Sequence, residues 1–156
     1  MAFGRPGVEN EQMSDQRQEL LSRLRAVPVE LAAAARAASP EPPAPGEWTP
    51  ADIVRHLIAV EEEVWQPRLA QLEVEEHPIW PWKEPDRWAG NPGASLDALL
   101  ATYATERAAT MATLDALDDA RWARTGTHAT FGVLDVAGLM TRAVDHDEEH
   151  IESFER

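Results

Sequence analysis

Four stretches of this chain repeat their apolar residues at helical spacing, and this pattern restricts the fold to an assembly of helices. The stretches are residues 11–38, 49–75, 95–117 and 134–154. No part of the chain alternates apolar and polar residues for long enough to predict a strand. Proline-rich connections over 39–47 and 76–94 separate the first three stretches. The pattern therefore predicts an all-α protein, a four-helix bundle with long connections.

The length of the chain predicts a single domain. A chain of 156 residues can bury one core of its own, and no internal repeat or boundary divides it. We therefore predict one domain over residues 1–156, with residues 1–10 flexible.

Several residues mark where the helices begin and bend. The sequence Thr-Pro-Ala-Asp at 49–52 supplies a cap residue, a proline at the first helical position and an acid three residues after the cap. Pro28 is expected to kink or split the first helix, because proline lacks an N–H. Pro67 is expected to bend the second helix for the same reason. Residues 118–132 are predicted to be mostly loop, with a short helical turn at 118–122.

The charge and composition exclude several classes of protein. The net charge of −14 repels nucleic acid unless a local basic patch binds it, and the sequence contains no such patch. No apolar run approaches the ~20 residues of a membrane span, and the N-terminus lacks the apolar core of a signal peptide. We therefore expect a cytoplasmic protein without nucleic-acid or membrane partners. The chain has no cysteine, so thiol chemistry would need a thiol from outside.

Three of the five histidines occupy positions from which they could share a metal ion. His146 and His150 are four residues apart, so they lie one turn apart on one helical face. They and His56 border the apolar stripes that face the interior of the predicted bundle. Burying three imidazoles without partners is costly, and a shared divalent metal would offset this cost. Three imidazoles suit zinc, nickel, copper or iron, and the alternative is a solvated histidine pair on an acidic helix.

The remaining histidines and the tryptophans of the long connection are less specific signals. His77 and His128 are expected at the surface, although the loop of His128 could fold over the histidine-bearing end of the bundle. Trp80, Trp82 and Trp88 either form an apolar lid over a pocket or pack the connection onto the bundle.

The charged residues near the three histidines could either lie at the surface or take part in the site. We expect most of the acids to be solvated, while one could orient a ligand imidazole or act as a general base. The acids are Asp52, Glu63, Asp145, Asp147, Glu148 and Glu149. Arg142, one turn before His146, is either a surface cation or a contact for an anionic group of a substrate.

Two blocks of the sequence resemble the characteristic blocks of the DinB-like superfamily. The first is Glu-Trp-Thr-Pro-Ala-Asp-Ile-Val-Arg-His-Leu at 47–57, and the second is Asp-His-Asp-Glu-Glu-His-Ile at 145–151. The proline in the first helix and the Phe-Gly pair at 131–132 are also similar. The chain departs from many members at 153–154, where Ser-Phe replaces glutamine and an aliphatic residue, and in the acids between its last two histidines.

The resemblance implies a four-helix bundle, often a homodimer, in which His56, His146 and His150 hold zinc or nickel. It also implies, for relatives of known activity, transfer of a low-molecular-weight thiol, bacillithiol or mycothiol, to an electrophile. One branch isomerises maleylpyruvate with mycothiol. In such enzymes the metal would ionise the incoming thiol to its reactive thiolate.

These observations leave several functions open. The leading hypothesis is a metal-dependent S-transferase that acts on a small-molecule substrate, with bacillithiol or mycothiol as co-substrate. The same site could instead hydrolyse a small amide or ester. A third possibility is a non-enzymatic protein that binds a metal or a small molecule, and a fourth is a helical bundle without a metal.

Overall fold

The structure is a computed structural model that describes residues 6–85 and 91–156 of the chain. Its helices are α1 (Pro6–Ala37), α2 (Pro50–Val60), α3 (Gln66–Val74), α4 (Leu96–Asp115), α5 (Asp119–Trp122) and α6 (Val136–Ser153). A π-helical turn (Glu61–Trp65), called the π turn below, joins α2 to α3. The strands are β1 (Ile79–Trp80), β2 (Thr125–His128) and β3 (Gly132–Asp135). The predicted four-helix bundle is confirmed, with α2, the π turn and α3 together forming its second helical segment.

The core lies where the apolar stripes predicted from the sequence meet. Helix α1 packs against α4 and α6, and α2 packs against α4. Leu24, Leu57, Leu99 and Leu139, one from each long helical segment, have no exposed surface. Burying a leucine removes apolar surface from water and contributes roughly 1.5–3 kcal/mol, so these stripes hold the bundle together. Within the described residues, no helix is both long enough and apolar enough to span a membrane.

Helix α1 differs from the prediction at its start and at its proline. The helix begins at Pro6, before the predicted start at residue 11. The expected split at Pro28 is absent, because α1 continues through this residue. Proline cannot donate to the carbonyl four residues earlier, which belongs to Leu24. Arg107 of α4 donates to that oxygen instead, with Nη1 at 3.1 Å, and so satisfies the acceptor that the proline leaves free.

A small sheet occupies part of the region predicted to be loop, and α6 begins at Val136 rather than at 134. Strand β1 pairs in parallel with β2, and β2 pairs antiparallel with β3. These strands are two to four residues long, too short for an alternating pattern to reveal them. A Cβ atom on Gly126 would lie 2.6 Å from the Trp80 ring, so glycine is needed for Trp80 to pack against β2. The short helical turn predicted at 118–122 is confirmed as α5.

Three charged side chains are buried together between α4, the π turn and α6. Arg107 donates from Nε to Glu61 Oε1 at 2.8 Å and from Nη2 to Asp147 Oδ2. Thr110 donates to the other Glu61 oxygen at 2.6 Å, and Tyr103 donates to Asp147 Oδ2 at 3.2 Å. The three charged side chains are no more than 2% exposed. Because buried charges are stable only with their partners in place, this buried charge cluster fixes how the three segments sit together.

Replacing Arg107 by methionine should destabilise the protein by about 3–5 kcal/mol, because two buried carboxylates would lose their counter-ion. The matched control is Arg25→Met, which removes an arginine paired with Asp115 across two half-exposed side chains. That surface pair should contribute about 1 kcal/mol or less. Urea unfolding of both variants gives the two free energies. Equal losses of stability in the two variants would contradict a structural role for the buried charge cluster.

Candidate metal centre

The three histidines predicted to bind a metal lie side by side in the bundle. Helix α2 provides His56, and α6 provides His146 and His150. Their ring centres are 4.7, 4.9 and 5.3 Å apart. One potential ligand atom from each ring can be chosen so that all three atoms lie within 4.8 Å of one another. The fold therefore brings together the three residues that the sequence singled out, from helices remote in the chain.

The spacing of the donor atoms fits a shared divalent ion. Nε2 of His56 lies 3.3 Å from Nε2 of His146. Two nitrogens that each lie about 2.0–2.1 Å from a tetrahedral zinc ion are themselves ~3.3 Å apart. A hydrogen bond between two neutral rings could have the same length, but it would leave the third imidazole without a role. A donor set of three imidazoles suits zinc, nickel, copper or iron and leaves further coordination positions for a ligand.

Burial keeps two of these imidazoles neutral at pH 7. Burial, followed by the charges of the other two histidines, lowers the pKa of His56 to about 4. Burial and His146 lower the pKa of His150 to about 4. A neutral imidazole presents a lone pair to a metal, so these two side chains can bind a cation at neutral pH without first losing a proton.

Local structure holds the three histidines in place. The capping box predicted at 49–52 is present, with both of its reciprocal hydrogen bonds at 3.1 Å. It sets the start of α2 two turns before His56. The ring of Trp48 lies 4.9 Å from that of His56, and the ring of Trp65 lies 6.4 Å from that of His146. Two tryptophans therefore flank the histidines, one just before α2 and one in the π turn.

One of the six candidate acids, Asp147, is buried beside the histidines, whereas the other five are exposed or partly exposed. Asp147 is 1% exposed. Its Oδ1 lies 3.8 Å from Nδ1 of His146, a buried nitrogen with no hydrogen-bond partner among the described residues. Metal-binding histidines usually direct their second nitrogen at a carboxylate or carbonyl, and Asp147 is the carboxylate beside this nitrogen, at a distance longer than a hydrogen bond. Asp145 and Glu148 instead form ion pairs with Arg23 of α1.

A cavity of about 280 Å³ opens beside the histidines. His56 and His146 line it, so an ion held by the three imidazoles would lie at its wall. Other residues of the wall come from α2, the π turn, α3, α6, strand β2, the β2–β3 turn and the long connection. They include Val60, Val64, Trp65, Arg68, Trp82, His128, Phe131 and Arg142. This volume is slightly below the range for drug-sized ligands, so the cavity suits a small molecule.

His128 is buried, which corrects the prediction that it lies at the surface. Strand β2 places it in the cavity wall, where the residue is 4% exposed. The backbone N–H groups of Thr130 and Phe131 donate to its Nδ1 at 2.9 and 3.3 Å, so the ring carries its proton on Nε2. Burial, with Arg68 and Arg142, lowers the pKa of His128. Its loop does fold toward the metal centre, and the neutral ring brings a hydrogen-bond donor to this wall.

The tryptophans of the long connection have both of the roles considered for them. Trp80 is 2% exposed and donates from Nε1 to Gln71 at 2.9 Å, so it packs the connection onto the bundle. Trp82 is exposed and lines the cavity. Trp88 lies outside the described residues. His77 is exposed, as predicted.

Arg68 belongs to this site although no motif identifies it, whereas Asp147 is one of the six acids that the sequence already offered. Asp147 follows Ala143 by four residues on the buried stripe of α6, and Arg68 follows Val64 by four residues in the second helical segment. A charged residue on an otherwise apolar stripe indicates a buried ion pair or a ligand contact. The available signal is therefore the position of the charge on the helix.

Comparison with known proteins agrees with this architecture. The sequence model of the DinB superfamily matches residues 12–153. YfiT from Bacillus subtilis, described as a probable metal-dependent hydrolase with an unusual four-helix bundle topology, superposes with a TM-score of 0.74 at 22% identity, over 90% of this chain and 85% of YfiT. TT2238, described as a four-helix bundle protein, gives a TM-score of 0.61 at 27% identity, over 88% of this chain and 97% of TT2238. No curated protein matches the sequence.

Protein purified without a histidine tag should contain about one zinc or nickel ion per chain, as measured by elemental analysis. The double variant His146→Ala, His150→Ala should lose this metal, because two of the three imidazoles are gone. His77→Ala removes an exposed histidine outside the site and should retain the metal. Metal that persists in the double variant, or a wild-type protein that takes up neither ion, would contradict the assignment.

The metal-free protein should lose stability as the pH falls from about 6.5 to about 4. In this window the histidines of the unfolded chain bind protons, since their ordinary pKa is about 6.5. Folded His56 and His150, with pKa values of about 4, do not. The unfolded state therefore takes up more protons and gains population. Urea unfolding of His150→Gln should show a shallower loss across this window, whereas the exposed control His77→Gln should follow the wild type. Equal slopes in all three proteins would contradict the depressed pKa of His150.

Proposed function

Since the chain belongs to the DinB superfamily, we propose that it is a metal-dependent enzyme that joins a low-molecular-weight thiol to a small electrophile. His56, His146 and His150 would hold the ion, and the adjoining cavity would hold the two reactants. The observation that carries this proposal is the cluster of three histidines, two of which, His56 and His146, line a cavity sized for a small molecule.

The chain supplies no sulfur nucleophile, because it contains no cysteine. A divalent ion bound by the three imidazoles would lower the pKa of an incoming thiol, so that the thiolate is present at neutral pH. Asp147 would keep the His146 ring oriented through its second nitrogen. The apolar side chains of Val60 and Val64 exclude water from the cavity wall and so favour reaction with the thiol.

Hydrolysis of a small amide or ester is the second candidate. It is favoured by the fold likeness to YfiT, itself described as a probable metal-dependent hydrolase. It also has a candidate general base, since Glu149 lines the cavity and lies between the two histidines of α6 in the sequence. Water is a much weaker acid than a thiol, so this reaction needs such a base more than thiol transfer does.

The decisive assay offers both reactions to the zinc- and nickel-loaded protein. For thiol transfer, 1-chloro-2,4-dinitrobenzene is mixed with bacillithiol or mycothiol; a carbon–sulfur bond forms, chloride leaves and the thiol proton passes to solvent. For hydrolysis, p-nitrophenyl acetate is supplied without a thiol. We expect thiol-dependent product formation that falls at least ~100-fold in His56→Ala, since the metal contributes several kcal/mol of stabilisation to the transition state.

The control for this assay is His77→Ala, which should keep full activity because His77 lies outside the cavity. Ester cleavage that requires His56 and Glu149, with no thiol-dependent product, would replace the first proposal by the second. A bound metal without turnover of either substrate would overturn both proposals and leave a binding protein.

A further inference from the structure

Arg68 is a buried cation for which the described residues supply no counter-ion. The residue is 7% exposed, and its Nη2 donates to the backbone oxygen of Pro81 at 3.2 Å. No carboxylate of the described residues forms an ion pair with it. Its guanidinium carbon lies 5.9 Å from the ring centre of Trp65 and 5.7 Å from that of Trp80. A buried guanidinium normally has an anionic partner, because desolvation of the charge is otherwise uncompensated.

The π turn brings Arg68 to the same cavity as the metal centre. His56 and Arg68 are twelve residues apart, a separation that places two residues about 120° apart around an uninterrupted α-helix. The π turn winds less per residue, because its hydrogen bonds span five residues, and it removes roughly 90° of that rotation. Both residues line the cavity as a result.

One small molecule can reach from the metal centre to Arg68. The guanidinium carbon is 5.9 Å from the Trp65 ring centre, and that centre is 6.4 Å from the centre of the His146 ring. The sum of these two distances is therefore the upper limit for the separation between the guanidinium carbon and the centre of the His146 ring. Trp65 also carries a buried indole N–H without an acceptor among the described residues, a second donor that no protein group satisfies.

The charges around the cavity favour an anion although the chain is strongly acidic. Arg142 also lines the cavity; its guanidinium carbon lies 4.1 Å from the ring centre of Phe131, and none of the described acids forms an ion pair with it. Lys83 lines it as a third cation. The lining acids are Glu84 and Glu149, which are exposed, and Asp145, which is paired with Arg23. Among the described residues of the lining, the buried charged side chain is thus a cation, Arg68.

We propose that the cavity binds a small molecule that carries a carboxylate, with the carboxylate held by Arg68 and Arg142 and the rest of the molecule directed toward the three histidines. The proposal rests on the proposed function in that it names the class of electrophile. A planar guanidinium matches a carboxylate through two parallel hydrogen bonds, and Arg142 adds a second positive charge at the cavity wall. A carboxylate group is favoured over a phosphate group at this subsite, since the single negative charge of the group loses less hydration where it meets Arg68.

The test measures binding to the metal-free protein, so that it does not depend on catalysis. Succinate is titrated by calorimetry and by tryptophan fluorescence, with the uncharged succinamide and inorganic phosphate as the comparison ligands. Wild-type protein should bind succinate and not succinamide, and phosphate should bind more weakly. Arg68→Gln and Arg142→Gln should each weaken succinate binding about tenfold or more, as expected for hydrogen bonds to a charged group. Arg36→Gln is the control, because it removes an exposed arginine that pairs with Asp97 outside the cavity.

Three results would overturn the proposal: equal affinities for succinate and succinamide, unchanged succinate binding in both arginine variants, or tighter binding of phosphate. Since Arg68 is buried, circular dichroism and thermal unfolding of Arg68→Gln check its fold, and the more exposed Arg142→Gln provides an independent result. Metal content is measured in the same samples. Loss of succinate binding with the metal retained isolates the anion subsite, whereas intact succinate binding in a protein that takes up no metal would refute the proposed function alone.

Discussion

The buried pairing of Arg107 with Glu61 and Asp147 is the interaction on which the arrangement of this bundle depends. Arg107 of α4 pairs with Glu61 of the π turn and with Asp147 of α6. It also donates to the carbonyl of Leu24 in α1, which Pro28 leaves without its helical partner. A buried ion cluster is not a strong source of net stability, because the desolvation of its charges offsets most of their attraction. We infer that its contribution is specificity, since any other alignment of the helices would leave at least one charge buried and unpaired.

The same cluster positions the candidate metal centre. Asp147 and His146 are adjacent on α6, so a helix held by the Asp147 carboxylate cannot rotate without moving the His146 imidazole. On the other side of the site, the capping box at 49–52 sets the start of α2, and Glu61 holds the end of that helix through Arg107. His56 lies between these two fixed points. Preorganised ligands of this kind bind a metal at a lower entropic cost than mobile ones.

The sequence predicts the features that depend on a local pattern of residues. It does not predict those that depend on contacts between residues remote in the chain. Helical periodicity, the capping box and the spacing of His146 and His150 are all readable within a few residues. The π turn has no local signature, and the strands of the small sheet are too short for an alternating pattern. The burial of His128 depends on the sheet, so it could not be predicted before the fold was known. The charge of Arg68 on an apolar stripe is a local signal, but its place in the cavity wall depends on the π turn.

The chain as a whole is strongly negative, whereas its cavity contains the buried cation Arg68. This difference in charge explains how one site could bind a metal cation and an anionic molecule together. A net charge of −14 produces a negative field that attracts a divalent metal and repels an anionic substrate at long range. Salt screens that repulsion beyond about a Debye length, ~8 Å at physiological salt, so it acts on a small molecule only close to the protein surface. Inside the cavity the effective dielectric is lower, so the nearby guanidinium of Arg68 outweighs distant surface acids. Recognition of a carboxylate therefore depends on short-range contacts in the cavity, and a bound metal would add to that attraction.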